Sequence, residues 1–119
     1  LLVEAGAEVN AVANTGNTPL LLACHNGQVD NVKFLLGKGA NVNAADDNKF
    51  SSLHIAASRG IPMLAELLIA AEARVNDLNQ DGDLPLHLAA GLSKADMVTL
   101  LLKHGADANV KNKAGHTPL

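Results

Sequence analysis

The sequence has no tryptophan, no tyrosine and only two phenylalanines, so aliphatic side chains must build its core. Its single cysteine, Cys24, excludes an internal disulfide and fits a reducing compartment. The formal net charge of −3 gives no electrostatic case for binding nucleic acid. No apolar run approaches the ~18 residues of a membrane helix, and no signal-peptide pattern is present. We therefore expect a cytoplasmic or nuclear protein that neither inserts into a membrane nor binds nucleic acid.

A short motif recurs along the 119 residues at a fixed spacing of 33. Thr18-Pro19-Leu20 returns in related form at 51–53, 84–86 and 117–119. A constant period between 20 and 50 residues is the signature of stacked repeats. The same residue occupies four positions of the period in all four copies: Leu2, Leu35, Leu68 and Leu101; Ala7, Ala40, Ala73 and Ala106; Asn10, Asn43, Asn76 and Asn109; Leu20, Leu53, Leu86 and Leu119.

The period divides the chain into three full units, 12–44, 45–77 and 78–110, flanked by partial units at 1–11 and 111–119, all within a single domain. Each unit predicts a helix, a turn, a second helix and a projecting finger. Thr18 is a good N-cap, and Pro19 suits the first helical position. Apolar residues then recur at helical spacing, while the finger is rich in Asn, Asp and Gly, which favours a hairpin-like turn. One unit cannot bury its own apolar face, so the units must stack.

These motifs resemble the ankyrin repeat along the whole chain. Residues Leu84–Ala90 are similar to the Thr-Pro-Leu-His-x-Ala-Ala core of that family, and Gly105–Asn109 to its Gly-Ala-Asp-Val-Asn ending. The resemblance implies an all-α solenoid of stacked helix-turn-helix units with β-hairpin fingers. It also implies a protein–protein interaction module without chemistry of its own. Its binding surface would be formed by the fingertips and the concave face of the first helices.

Departures from the family pattern fall at specific positions. Leu84 replaces the capping Thr, which makes Asp83 the expected N-cap of its helix. Lys49, Glu72 and Ser93 stand where glycine stands in the other copies. A non-glycine residue that must adopt positive φ strains the backbone by ~1 kcal/mol. We therefore predict that the middle unit is locally the least ideal, and that Glu72→Gly raises stability in denaturant.

No set of residues indicates catalysis or a cofactor. His54 and His87 recur at the motif histidine position, for which the family implies a structural hydrogen bond, and Leu21 replaces this histidine in the first unit. No Cys or carboxylate recurs at metal-ligand spacing. Cys24 occupies a small-residue position and is expected to be buried and inert. No glycine is followed by the Lys-Ser/Thr of a phosphate loop. We expect no enzymatic activity, no metal and no cofactor.

The positions that vary between units are the candidate contacts to a protein or peptide partner. Phe50 and Leu92 stand out as apolar anchors in a polar surrounding, although Phe50 could instead pack against a neighbouring finger. Acidic residues in the middle fingers favour a partner with basic groups, or are simply solvated. The candidate contact residues are Asn14, Asn17, His25, Asp47, Asn48, Phe50, Arg59, Gln80, Asp81, Asp83 and Leu92.

Other interpretations stay open at the level of the sequence. The chain starts at Leu1 in mid-helix and stops at Leu119, where a helix should begin. It could therefore be a regulatory segment of a larger enzyme, channel or ubiquitin-ligase adaptor, and its open ends could stack on one another. A stand-alone enzyme has no supporting constellation, and a designed array is disfavoured by the irregular departures. The resemblance also implies that the asparagine position of the ending can be hydroxylated: Asn10, Asn43, Asn76 and Asn109.

Overall fold

The computed structural model describes residues 9–119. The predicted partial unit 1–11, with its mid-helix start at Leu1, lies mostly outside these residues. The described part contains helices in pairs, each pair falling within one predicted unit; the unit boundaries themselves stay a prediction. The helices are α1 (Pro19–His25), α2 (Val29–Gly37), α3 (Ser52–Arg59), α4 (Pro62–Ala70), α5 (Pro85–Gly91) and α6 (Ala95–Lys103).

The first helix of each unit starts with a side-chain cap or with a histidine that replaces one. The Thr18 hydroxyl accepts a hydrogen bond from Leu21 N at 3.3 Å, which caps α1 as predicted. At α3 the Ser51 hydroxyl accepts from His54 N, and His54 Nδ1 accepts from Ser51 N in return. These bonds satisfy amide groups that a helix start leaves open.

The prediction that Asp83 caps the third first helix is wrong. The cap residue of α5 is Leu84, whose backbone N–H donates to His87 Nδ1 at 2.9 Å. The Asp83 carboxylate instead accepts from the side-chain amide of Asn112 in the next finger at 2.8 Å. Because His87 already accepts the backbone N–H at the start of α5, the Asp83 carboxylate is free to accept the bond from Asn112, which joins two fingers.

The core runs through the stack as two rows of aliphatic residues. Consecutive first helices pack on each other, and so do consecutive second helices. Burying each such side chain contributes about 1.5–3 kcal/mol. Alanines on the first helices keep the spacing close enough for this contact. The two rows of almost fully buried leucines are Leu20, Leu53 and Leu86 on the first helices, and Leu35, Leu68 and Leu101 on the second.

Three non-glycine residues adopt positive φ, and they are the three that the sequence singled out. The φ angles are 61° at Lys49, 73° at Glu72 and 58° at Ser93. Glycines at the repeat position of Glu72, Gly39 and Gly105, have φ of 92° and 93°. Two of the three strained residues lie in the middle unit. The gain in stability expected from Glu72→Gly stays a prediction.

The fingers are hairpin-like turns. Each is closed by a backbone bond from one residue to the carbonyl four positions later, such as Asp46 N to Phe50 O at 3.1 Å and Asn79 N to Asp83 O at 2.9 Å. Among residues 9–119 the β pairing amounts to one isolated bridge between Ala45 and Ser51. The fingers therefore have the turn of a hairpin without a strand ladder, and the fold is the expected all-α stack.

Candidate functional site

The fingertips are fixed to one another by a backbone hydrogen bond that repeats at each joint. The donor lies in one finger and the acceptor carbonyl in the finger before it, always 32 positions earlier in the chain. A bond that recurs at every joint holds the tips in a constant register. The bonds join Asp47 N to Thr15 O at 3.2 Å, Gln80 N to Asn48 O at 3.0 Å, and Lys113 N to Asp81 O at 3.0 Å.

An acid or amide at the base of the second, third and C-terminal fingers shapes the turn of each. Asp46 Oδ1 accepts from the backbone N–H groups of Asn48 and Phe50, two and four positions later. Asn79 and Asn112 make the same two bonds in their own fingers. Comparison of identical residues between units does not reveal this position, because Asp and Asn share only the accepting oxygen. Ala13 stands there in the first finger and has no such group.

The motif histidines connect helices α3 and α5 to the finger of the next unit. His54 Nε2 donates to the carbonyl of Asp83 at 2.8 Å, and His87 Nε2 donates to that of His116 at 3.0 Å. Each Nδ1 accepts a backbone N–H, so the ring is neutral with its proton on Nε2. Burial lowers the pKa of His54, and its bond to the Asp83 carbonyl and the nearby acidic groups only partly oppose this. Both ring nitrogens of each histidine are therefore used in hydrogen bonds that hold the repeat units together.

The asparagines at the end of each unit bind the next unit at two points. Asn43 Oδ1 accepts from Arg74 N at 2.8 Å, while its Nδ2 donates to the Glu72 carbonyl at 3.3 Å. Asn10 and Asn76 make the same pair of bonds. This observation gives these three residues a structural role. Their hydroxylation, and that of Asn109, stays a prediction.

The structure places the eleven candidate contact residues in two rows. The first row is the fingertips and finger bases. The second is the C-terminal ends of the first helices, where Arg59 and Leu92 share one repeat position and His25 lies in the last turn of α1. A first helix of seven or eight residues separates the rows by ~10–12 Å. Exposed are Asn14, His25, Asp47, Asn48, Arg59, Gln80, Asp81 and Leu92, while Asn17, Phe50 and Asp83 are half-buried.

Phe50 packs inward at the edge of the core. Its ring lies 5.8 Å from the ring of His54, centroid to centroid, in a tilted arrangement, and the residue contacts the apolar cluster. Phe50 therefore presents only part of its ring to solvent. It stands at the repeat position that Asp83 holds one unit later.

The presence of Phe50 breaks the polar network at one joint. Between the third finger and the C-terminal segment, Asp83 accepts from the side-chain amide of Asn112. One unit earlier, Phe50 offers no side-chain acceptor to Asn79, and Asn79 Nδ2 is buried without a hydrogen-bond partner in the described residues. A buried unpaired donor costs ~1–3 kcal/mol. Asn17 Oδ1 is likewise buried and unpaired there. The side-chain bond between fingers that Asn112 makes with Asp83 is therefore absent between Asn79 and Phe50.

A family model described as ankyrin repeats, in three copies, matches residues 1–78 and 53–119. The two matches together span the whole chain. This chain belongs to the ankyrin-repeat family. No curated protein matches it. Ankyrin repeats are generally protein–protein interaction modules and typically non-catalytic, which agrees with an architecture in which the repeated polar residues hold the units together.

The second and third fingers of the ankyrin array carry more acidic than basic residues, and their fingertip carboxylates are free of ion pairs in the described residues. Within residues 9–119 the closest ion pair joins Arg74 to Asp77 at 3.4 Å, on the exposed surface. Exposed surface pairs contribute ~0–1 kcal/mol, so this one does little for stability. Asp47 and Asp81, on neighbouring fingertips, are exposed and outside that pair.

The ankyrin array shows no arrangement for metal or nucleophilic chemistry in the described residues. No three His, Cys, Asp or Glu side chains of residues 9–119 lie close enough together to hold a metal ion. Cys24 is buried, and burial raises the pKa of its thiol to about 12, so the thiolate that would react is not formed at neutral pH. In the described range, no helix has the length and apolarity needed to cross a membrane.

Proposed function

We propose that this ankyrin array is a protein-recognition module whose fingertips and first-helix ends form one preformed surface. The repeated backbone bond between fingertips carries the proposal, because it fixes the tips before a partner arrives. A surface that is already ordered loses little conformational entropy on binding. A reducing compartment, the cytoplasm or the nucleus, suits its single free thiol.

The partner that fits this surface best is a protein segment with basic groups. Asp47 and Asp81 project from neighbouring fingertips, and no described basic residue forms an ion pair with either. Phe50, partly open beside them, offers an apolar contact next to these charges. Charge complementarity chiefly sets the association rate and selects among partners, while buried aromatic contacts supply much of the affinity.

A peptide selection on the immobilised chain tests this proposal. Peptides recovered from a random library should be enriched in Lys and Arg, and their affinity should fall as salt is raised. Phe50→Ala and Asp81→Asn should each weaken a selected peptide about tenfold, which corresponds to ~1.4 kcal/mol. The matched control is Lys33→Ala, an exposed residue on the second helix α2, which should bind as the parent does. Unchanged binding in both surface variants would move the site to the outer face or the ends of the stack.

We further propose that the array acts within a longer protein, as a regulatory segment of an enzyme, channel or ubiquitin-ligase adaptor. Apolar surface on the first unit supports this. Val12 is 68% exposed and Leu22 48%, and both line an apolar cavity of ≈ 290 Å³. The same surface suits end-to-end stacking of separate copies. Val12→Asp should abolish such stacking in sedimentation experiments, while the sequence of the full-length gene product tests the longer protein directly.

A further inference from the structure

The side-chain amide of Asn79 is a buried donor for which the described residues provide no acceptor. Its orientation is fixed, because Asn79 Oδ1 accepts from the backbone N–H groups of Asp81 and Asp83, both at 2.9 Å. Two donors on one side-chain oxygen identify the other atom as the NH₂ group. Asn79 is only 4% exposed. Native proteins rarely leave such a donor unpaired, so it calls for an explanation.

Asn112 holds the same repeat position one unit later, and its amide is paired. Its Oδ1 makes the same two turn bonds to backbone N–H groups, both at 3.0 Å. Its Nδ2 donates to Asp83 Oδ1 in the preceding finger at 2.8 Å. Because the two asparagines are oriented alike, Asn79 Nδ2 points towards the residue that holds the repeat position of Asp83, which is Phe50. The phenyl ring thus covers the donor and has no oxygen to accept its bond.

Two hydrogen bonds join the second and third fingers independently of the Phe50 side chain. Gln80 N donates to Asn48 O at the tips at 3.0 Å, and His54 Nε2 donates to the Asp83 carbonyl at 2.8 Å. Phe50 is half-buried at the edge of the core, so a change of its side-chain rotamer moves the ring towards solvent. The two bonds keep the fingers in register meanwhile. What opens is a gap of side-chain size with the unpaired donor at its inner end.

The surroundings of this donor are acidic. Phe50 packs against the ring of His54, and three carboxylates lie near that ring: Asp46, Asp77 and Asp83. They repel a further carboxylate, so the acceptor that fits the gap is a neutral oxygen. Every residue of an extended protein segment offers such an oxygen in its main-chain carbonyl. Lys and Arg side chains next to that carbonyl stay free to pair with Asp47 and Asp81 on the fingertips.

We propose that Phe50 is a displaceable cover over a main-chain recognition site whose donor is Asn79 Nδ2. On binding, the ring turns outward onto the partner, and a main-chain carbonyl oxygen of the partner takes the place that Asp83 Oδ1 has one unit later. This inference rests on the proposed recognition of a basic segment and adds the contact that fixes the register of that segment. Pairing a donor that the free chain leaves unpaired strengthens the complex.

Two Asn→Asp variants test the site with peptides selected on the parent chain. Asn79→Asp removes the donor but keeps the oxygen that accepts the turn bonds, as Asp46 does in its own finger. It should weaken the peptides about tenfold, although its added charge attracts basic groups. Asn48→Asp adds the same charge at an exposed fingertip and should bind at least as tightly as the parent. Equal or tighter binding by folded Asn79→Asp overturns the inference.

Nitrogen–proton correlation spectra of the parent chain report the bond without any substitution. The side-chain NH₂ signals of Asn79 should shift downfield when a selected peptide saturates the chain. Those of Asn112, whose amide is already bonded to Asp83, should stay in place. Unmoved Asn79 signals in the saturated complex overturn the inference, whereas the proposed function still stands if Asp81→Asn weakens the same peptide.

Urea unfolding tests the unpaired donor in the absence of a partner. Phe50→Asn and Phe50→Ala both remove the ring, but only asparagine, which the first unit has here as Asn17, offers Asn79 an oxygen. Phe50→Asn should therefore unfold ~0.5 M urea above Phe50→Ala. It should also bind selected peptides more weakly than Phe50→Ala, because the donor is then paired within the chain. Equal midpoints overturn the inference alone, while a selection that recovers no peptide refutes the proposed function and the inference with it.

Discussion

Replacing Glu72 with glycine should stabilise the array, and the opposite change at Gly39 should destabilise it. Both residues hold the same repeat position after a second helix, with φ of 73° and 92°. A residue with a Cβ pays about 1 kcal/mol to adopt this left-handed conformation, whereas glycine does not. Glu72 is exposed, and its described hydrogen bonds involve only its backbone. Removing the side chain therefore loses no contact that would offset the gain.

The expected magnitude is about 1 kcal/mol in each direction. A Cβ added at Gly39 would meet no heavy atom within 4 Å, so Gly39→Glu changes the backbone preference without creating a clash. With a urea m-value of about 2 kcal/mol per M, the unfolding midpoint should rise ~0.5 M in Glu72→Gly and fall ~0.5 M in Gly39→Glu. The double variant should lie near the parent, because the two sites make no shared side-chain contact.

Urea unfolding followed by circular dichroism at 222 nm is the suitable assay. Intrinsic fluorescence is not, because the chain has no tryptophan or tyrosine. Glu72→Ala serves as the control, since it removes the same carboxylate but keeps a Cβ at positive φ, and it should unfold near the parent midpoint. If Glu72→Gly does not raise the midpoint while the m-value is unchanged, the strain assigned to this residue is refuted.

Three further outcomes are expected. Leu53→Ala should lower the free energy of unfolding by about 2–5 kcal/mol in urea titrations, because the side chain is fully buried, and a loss under 1 kcal/mol would contradict this. Because folding lowers the pKa of His54, the free energy of unfolding should be highest above about pH 6.5 and should fall as the pH drops below that value. The variant His54→Leu has the residue that Leu21 provides in the first unit, and its urea midpoint should depend less on pH. Cys24 should resist iodoacetamide in the folded chain and react after unfolding, and rapid native labelling would show that the thiol is accessible.

The 33-residue period predicted the fold because helix caps and turn glycines act on a few consecutive residues and recur in every unit. Thr18 caps α1 as a Thr before Pro should. Glycines that recur at the same repeat position identified the places where the backbone needs positive φ. The structure confirms that Lys49, Glu72 and Ser93, which replace such glycines, have positive φ. These inferences need only the conformation of a few consecutive residues and the comparison of one unit with the next.

The contacts between units could not be read from the sequence in the same way. The cap at Leu84 depends on the orientation of the His87 ring. The side-chain amide of Asn79 has no hydrogen-bond partner because the residue opposite it in the preceding finger is Phe50. Both follow from the placement of one finger against another. Phe50 was recognised as exceptional, yet its inward packing against His54 depends on space in the core that only the assembled stack defines.

The bonds between neighbouring units have consequences for how the chain can change length. Every link spans a constant sequence offset: 29 for the histidines and the asparagine amides, 31 for the asparagine oxygens and 32 for the fingertips. Duplicating or removing a 33-residue segment keeps these offsets, so each hydrogen-bond donor again lies opposite an acceptor at the same repeat position. Inserting a single residue inside a finger shifts its donors out of phase with both neighbours. Genetic variation in length should therefore be tolerated in whole multiples of the period, and loop insertions that ordinary surface turns accept should be costly here.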